Sequence, residues 1–174
     1  MKKVVLSLVL FASVIAVSAQ PRAIGGRLGY TAEVSYQHSF GEKNMLQLDA
    51  GFPYYSSFQV TGTYNWLFPI SSWTHAGSWN LYAGVGAGAG LGWYYGHFLL
   101  DYYDYSDRYY SRVYGVFGIA GIFGAEYNFK FPLQLFADYR PIIGAGVSRN
   151  SAWFHTRGLF NVAIGARYRL DFKK

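Results

Sequence analysis

Eight charged residues occupy positions from which they could form a connected set of ion pairs. The acids and bases are equal in number. Apolar and polar residues alternate in the segments that contain them, and each charged residue occupies one of the positions between the large apolar residues. A guanidinium and a carboxylate can form two parallel hydrogen bonds, so such a set suits a confined interior. The predicted lumen charge network consists of Arg27, Glu33, Asp49, Glu126, Asp138, Arg140, Arg167 and Arg169.

Other arrangements of reactive residues fall short of a catalytic or ligand-binding pattern. The glycine-rich run 84–90 lacks the Lys-Ser/Thr pair of a phosphate-binding loop, and no helix pattern follows it. The four histidines are scattered, without the paired spacing of metal ligands. His38 and Ser39 are adjacent in a strand pattern and so face opposite sides, which excludes a shared His–Ser site. We therefore predict no catalytic residue, no metal site and no cofactor.

The elements that carry the charges are predicted to be β-strands. Between Ile24 and Phe40 the even positions are mainly apolar, and the odd positions are small, polar or charged. A period of two residues is the pattern of a strand with two different faces. The same alternation recurs in the segments 24–40, 46–52, 58–68, 79–91, 117–129, 133–140 and 160–172.

The composition favours a membrane β-barrel over a water-soluble domain. Aromatic residues make up 21% of the chain and charged residues only 14%, against about 25% charged residues in soluble domains. The absence of cysteine excludes a disulfide scaffold and a cysteine-ligated zinc site. We expect the apolar face to contact lipid and the charges to face the lumen, because a charge facing lipid at mid-depth costs about 2–4 kcal/mol. The alternative is a soluble lipocalin-like barrel with the two faces exchanged.

The first 19 residues have the layout of a secretory signal peptide. Lys2 and Lys3 precede an apolar run from Val4 to Val17, and small residues lead to a cleavage site at Ala19/Gln20. We predict that residues 1–19 are removed and that residues 20–174 form one outer-membrane barrel.

The strand count predicts an all-β, antiparallel up-and-down barrel, with eight strands favoured. Seven segments are evident, and an eighth arises if 24–40 is a tight hairpin that turns near Gly29–Ala32. Alternatively, the missing strand lies elsewhere, or the start of the chain threads the lumen. Single-chain bacterial barrels have even strand numbers, short periplasmic turns and longer external loops. On that basis the external connections are 53–57, 93–112 and 142–156, and the periplasmic ones are 41–44, 71–78 and 128–132.

The last strand indicates both membrane assembly and a resemblance. Tyr168, Leu170 and Phe172 alternate toward the C-terminus, and this resembles the signal that the barrel-insertion machinery reads. The chain also resembles the small outer-membrane β-barrel proteins of Bacteroides-type bacteria, with the shape of the OmpA/OmpX barrels. The stretches that carry this resemblance are RLGYTAEVSYQH (27–38), WNLYAGVGAGAG (79–90), GAEYNFKFPLQLFADYRP (124–141) and AIGARYRLDF (163–172). The resemblance implies a fold and an outer-membrane location, without a defined activity.

The segment 93–112 is the candidate contact surface. Tyrosine offers rigid contact area with a polar tip, and this segment contains Tyr94, Tyr95, Tyr102, Tyr103, Tyr105, Tyr109 and Tyr110. We expect a non-enzymatic barrel plugged by its charges, with an envelope-structural or surface-contact role. Expected partners are outer-membrane lipid, lipopolysaccharide, the insertion machinery and an external glycan or protein, but no nucleic acid. The alternatives are a narrow channel for ions or small solutes and a lipid-modifying enzyme.

Overall fold

The structure, a computed structural model, describes residues 22–53, 57–71, 73, 76–94, 112–149 and 151–170. These residues form ten β-segments. No helix in the described part of the chain is long and apolar enough to cross a membrane. The segments are β1 Arg22–Gly29, β2 Thr31–Phe40, β3 Asn44–Pro53, β4 Ser57–Ile70, β5 Gly77–Tyr94, β6 Arg112–Phe129, β7 Leu133–Tyr139, β8 Ile142–Ser148, β9 Ser151–Gly158 and β10 Val162–Arg169.

The ten segments form a closed, antiparallel barrel of eight strands, which confirms the predicted fold class. β7 and β8 are two halves of one barrel strand, because β6 pairs with β7 along one half of its length and with β8 along the other. Their interruption coincides with Pro141, which has no N–H to donate. β9 and β10 likewise form one strand that is interrupted at 159–161. Pairing of β10 with β1 closes the sheet.

The first hairpin turns at the predicted place. β1 and β2 pair from Arg22 with His38 to Leu28 with Ala32, so the turn centres on Tyr30. Paired residues in this register always have numbers of the same parity. Directly paired residues share a face of the sheet, and the even positions therefore remain on one face through the turn. This explains why the alternation continues from residue 24 to residue 40 without a break.

The apolar phase faces outward and the polar phase faces the lumen. Ile119 and Ile164 are 74% and 67% exposed, whereas Arg27 and Arg140 are fully buried at 0%. This distribution is opposite to that of the lipocalin-like alternative, in which the apolar face is enclosed. A smaller apolar cluster fills part of the lumen and comprises Met45, Leu67, Tyr82 and Ile122.

Aromatic side chains stack along the outer surface near one end of the barrel. Trp79 contacts Trp73 and Tyr127 at ring-centroid distances of 5.5 and 4.9 Å. The stack continues from Tyr127 to Phe129 at 4.6 Å and from Phe129 to Phe131 at 4.8 Å. At the opposite end Phe52 and Phe58 form an edge-to-face pair. Rings thus lie toward both ends of the apolar surface.

The two ends of the barrel differ in their connections. One end, here the short-turn end, carries Arg22, Arg169 and the connections 41–43, 71–76 and 130–132. Gly41 in the first of these has φ +71°, a left-handed conformation that favours glycine. The other end, the loop end, carries the turn at Tyr30 and the connections 54–56, 95–111 and 149–150.

The prediction of a long external connection at 142–156 was wrong. This segment contributes β8 and most of β9, which pair with each other and leave a turn at 149–150. The physical reason is the length of β6, which continues well beyond β7 toward the loop end. The backbone groups of β6 residues 115–120 need partners there, and β8 supplies them.

Closure of the barrel requires a stagger between its strands. Successive paired residues lead from Arg27 through β2, β3 and β4 to Gly90 of β5. The route through β10, β7 and β6 leads from Arg27 to Asn80 of the same strand. The ring therefore closes with an offset of ten residues, from 80 to 90, and such an offset tilts the strands relative to the barrel axis.

Candidate functional site

The charged interior is built by inward positions on four strands. Arg27 lies on β1, Glu33 on β2 and Asp49 on β3, whereas Asp138 lies on β7 and Arg140 directly follows it. Because side chains alternate along each strand, the pattern that exposes the apolar residues turns these five side chains into the lumen. Each of the five is buried.

Arg27 joins three strands. Its Nη2 lies 2.6 Å from Asp138 Oδ1, and its Nε donates to the same oxygen at 3.0 Å. Its Nη1 lies 3.1 Å from Glu33 Oε2 and also donates to Thr31 Oγ1 and Asn161 Oδ1 at 3.0 Å. All three guanidinium nitrogens of Arg27 therefore donate to buried oxygens, which offsets the cost of removing this cation from water.

Arg140 extends the chain of charges across the barrel. Its Nη2 lies 2.6 Å from Glu33 Oε2, and its Nη1 lies 2.5 Å from Asp49 Oδ2. Asp49 Oδ2 also accepts a hydrogen bond from Gln47 Nε2 at 2.9 Å. β7 and β3 are four barrel strands apart by either route around the ring, so the Arg140–Asp49 pair spans the lumen from wall to wall.

These contacts form one continuous ion-pair chain, in the order Asp138, Arg27, Glu33, Arg140 and Asp49. Removal of two charges from water costs several kcal/mol per ion, and only close pairing offsets that cost. An eight-stranded barrel is just wide enough for side chains to fill it. The chain therefore lies within the lumen and links opposite walls of the barrel.

Glu126 lies nearer the short-turn end and is stabilised differently. Four side-chain amides donate to its two carboxylate oxygens, at distances between 2.9 and 3.3 Å. The donors are Gln37, Asn80, Asn128 and Gln134. Both carboxylate oxygens of Glu126 are therefore satisfied by neutral amide donors, and none of these four hydrogen bonds comes from an arginine.

Arg167 is fixed by hydrogen bonds and by an aromatic ring. Its Nε and Nη2 donate to Ser35 Oγ at 3.0 and 2.9 Å, and its Nη1 donates to Gln134 Oε1 at 3.1 Å. The guanidinium carbon lies 3.6 Å from the centroid of the Phe136 ring. That ring lies over Gly165, the residue paired with Phe136, where a β-carbon would collide with it. Gly165 thus provides the space for the cation–π contact.

A small cavity lies on the loop-end side of the ion-pair chain and encloses about 70 Å³. Gly88, Gly90 and Gly92 of β5 form one wall, Tyr114 of β6 contributes another, and Asn161 lies beside the chain. The inward glycines of β5 therefore widen the lumen at this level.

The structure brings most of the predicted charge set together in the lumen. Five of its members form the ion-pair chain, and Gln134 bridges two others, Glu126 and Arg167. Arg169 is half-buried at the short-turn end, where Nη1 donates to the Phe129 carbonyl at 3.2 Å, and it does not join the chain. Three neutral residues that contact Arg167 were not singled out from the sequence, although each lies on the same face of its strand as the charged residues. They are Ser35, Gln134 and Phe136.

The other predicted residues fall at the edges of the described structure. Tyr94 is the last residue of β5, so the predicted contact segment begins within a strand. Tyr168 and Leu170 are exposed on the outer face near the short-turn end. Phe172 and the tyrosines at 95, 102, 103, 105, 109 and 110 lie outside the described residues, as does the predicted signal peptide.

Comparison with known proteins finds a structural likeness but no sequence family. No family model matches the chain, and no curated protein matches it. The chain is similar to the crystal structure of a major outer membrane protein from Thermus thermophilus, with a TM-score of 0.49 and 14% identity. The likeness covers 88% of this chain and 100% of that chain. Membership of the Bacteroides-type barrel family remains a prediction.

Proposed function

We propose that this protein is a non-enzymatic, integral outer-membrane barrel that contributes to envelope structure and surface contact. The observation that carries the proposal is the inverted distribution of polarity, with arginine–carboxylate pairs enclosed and large aliphatic side chains exposed. Such an outer surface is unfavourable in water and favourable in lipid. Rings toward both ends of the apolar surface match the preference of aromatic side chains for the membrane–water interface.

The proposed orientation follows from the two ends. Bacterial outer-membrane barrels place short turns in the periplasm and longer loops outside. We therefore place Arg22 and the turns 41–43, 71–76 and 130–132 in the periplasm. The long connection that contains most of the segment 93–112 faces outward, where its tyrosines contact a glycan or a protein. Lipopolysaccharide and the other outer-membrane lipids surround the barrel, and the insertion machinery reads its final strand.

The ion-pair chain favours a barrel with a blocked lumen over a channel. Arg140 and Asp49 meet across the lumen, and Arg27 fills the adjacent space with three bonded nitrogens. A narrow channel would need a continuous path past these side chains. Single-channel recording in planar bilayers separates the two forms. We expect no discrete conductance steps at neutral pH, and regular steps with intact wild-type protein would favour the channel.

Two measurements on cells test location and catalysis. Outer-membrane fractions analysed on a gel without boiling should contain a fast-migrating band that moves on boiling to the mass of residues 20–174, as expected of a barrel whose sheet is closed. A soluble periplasmic protein without such a shift would contradict the proposal.

Mass spectrometry of lipid A from cells with and without the protein should give identical spectra, and a loss or gain of an acyl chain would indicate an enzyme.

A further inference from the structure

One wall of the lumen carries a cluster of buried polar atoms that lack a hydrogen-bond partner among the described residues. They are Gln37 Oε1, Gln47 Oε1, Asp49 Oδ1, Thr63 Oγ1, Asn65 Oδ1, Asn65 Nδ2 and, from the opposite wall, Arg140 Nε. Buried polar atoms without partners cost about 1–3 kcal/mol each. Such a concentration on neighbouring strands requires polar partners inside the lumen, either water or an ion.

The pairing register places these atoms close together. Gln37 of β2 pairs with Gln47 of β3, and Gln47 pairs with Thr63 of β4. Side chains at directly paired positions have β-carbons about 4.5–5.5 Å apart, so Gln37, Gln47 and Thr63 form a row across three adjacent strands. Asp49 lies on the loop-end side of this row, where it pairs with Thr61. Asn65 lies on the short-turn side, where it pairs with Met45.

Buried carboxylates outnumber buried arginines in the lumen. Among the described residues, the buried charged side chains are three arginines and four carboxylates. Glu33 and Asp138 accept from arginine, and Glu126 accepts from four amides. Asp49 uses only Oδ2 for Arg140 and Gln47, which leaves Oδ1 without a partner. The interior thus carries one more carboxylate than guanidinium, and Asp49 Oδ1 is the buried carboxylate oxygen without a partner among the described residues.

We propose that the barrel binds one monovalent alkali cation at this wall. Asp49 Oδ1 supplies the charge, and the oxygens of Gln47 and Thr63 act as neutral ligands. Asn65 Nδ2 and Arg140 Nε are donors and cannot ligate a cation, so water in the cation's hydration shell accepts from them. A divalent ion would leave a positive charge buried, whereas a monovalent ion neutralises the interior. The site would connect β2, β3 and β4 through a common centre, beside the end of the ion-pair chain.

The test compares the thermal unfolding of the full chain in three salts. The protein is refolded from urea into detergent in NaCl, KCl or N-methyl-D-glucamine chloride at equal ionic strength, since the large organic cation cannot enter the lumen. With salt tenfold above the dissociation constant, linkage predicts that Na⁺ or K⁺ raises the midpoint by roughly 3–6 °C. Equal midpoints in the three salts would overturn the proposal and indicate that water alone occupies the wall.

Two threonines of β4 provide a matched pair of variants. Thr63→Val removes a proposed ligand oxygen with little change in volume, and it should reduce the cation-dependent shift by at least half. Thr61→Val alters the inward residue that pairs with Asp49, but the Thr61 hydroxyl already accepts from Gln59 Nε2 at 3.0 Å and is not a proposed ligand, so this variant should retain most of the shift. A shift that Thr63→Val leaves intact would contradict the assigned ligands.

Broadening of the ²³Na resonance by wild-type protein, reversed by added K⁺, gives a direct reading that does not depend on the variants.

Discussion

Arg140 and Asp49 lie on opposite walls of the barrel, yet Nη1 of the arginine is 2.5 Å from Oδ2 of the aspartate. The arginine follows β7 and the aspartate lies on β3, four strands away in either direction. Glu33 accepts a second bond from the same guanidinium. Arg140 is consequently the central cation of the ion-pair chain, and its loss would leave two buried carboxylates with fewer partners.

Replacement of Arg140 should destabilise the barrel strongly. Arg140→Met keeps much of the side-chain volume but removes the charge, and we expect a loss of about 3–5 kcal/mol in the free energy of unfolding, the range for a broken buried ion pair. Urea titration in detergent or lipid vesicles, followed by tryptophan fluorescence, measures this value. The control is Arg149→Met at the exposed turn after β8, which should cost less than about 1 kcal/mol. Equal stability of the two variants would show that the ion-pair chain does not brace the walls.

Arg167 should not tolerate replacement by lysine. An ammonium cannot reproduce the guanidinium fork that contacts both Ser35 and Gln134, nor its planar stack on Phe136. We expect Arg167→Lys to lower the free energy of unfolding by about 1–3 kcal/mol, as measured by urea titration. Ser35→Ala leaves the stack intact and should cost less. If Arg167→Lys proves harmless, the stacked fork is not important for stability.

Gly165 should be required for the packing of Phe136. A β-carbon at residue 165 would collide with the Phe136 ring and push it away from Arg167. Gly165→Ala should therefore cost about 1–3 kcal/mol, as overpacking does elsewhere. Gly26→Ala is the matched control, because residue 26 belongs to the neighbouring strand and has open space at its β-carbon. The prediction concerns the difference between the two unfolding free energies, and no difference would contradict it.

A positive charge on the outer face should impair insertion. Ile164 is 67% exposed on β10, and a lysine at mid-depth in lipid costs about 2–4 kcal/mol. Ile164→Lys should thus lower the unfolding free energy by that amount in vesicles. Glu42→Lys, in the short turn between β2 and β3, should have almost no effect. In a water-soluble barrel both substitutions would be tolerated, so equal behaviour in vesicles would argue against a lipid-facing surface.

The sequence predicted the two faces of the barrel well, because a period of two residues leaves little ambiguity. Even the first hairpin could be located, although Tyr30 lies within an unbroken alternation. The partners of the charges could not be predicted in the same way. The Arg140–Asp49 contact depends on closure of the sheet and on its stagger, and neither is encoded locally. Glu126 has four amide donors rather than an arginine, because the register and not the charge sets its neighbours.

The strands within the segment 142–156 could not be predicted from the local sequence either. No strand was predicted in this segment, and nothing near residue 142 in the sequence indicates that β6 is long enough to need a partner there. The requirement comes from a distant strand. β-pairing between remote segments is the part of this fold that local patterns convey least.

The measurement that tests the central claim most directly is the accessibility of a single spin label on the outer face. The chain contains no cysteine, so Ile164→Cys provides a unique attachment site on an exposed position. Power-saturation spectroscopy in lipid vesicles compares collisions with oxygen, which concentrates in lipid, and with a water-soluble nickel chelate. A barrel whose apolar outer face contacts lipid should give high oxygen accessibility and low nickel accessibility at residue 164. High nickel accessibility in vesicle-bound protein would place this face in water and contradict the account.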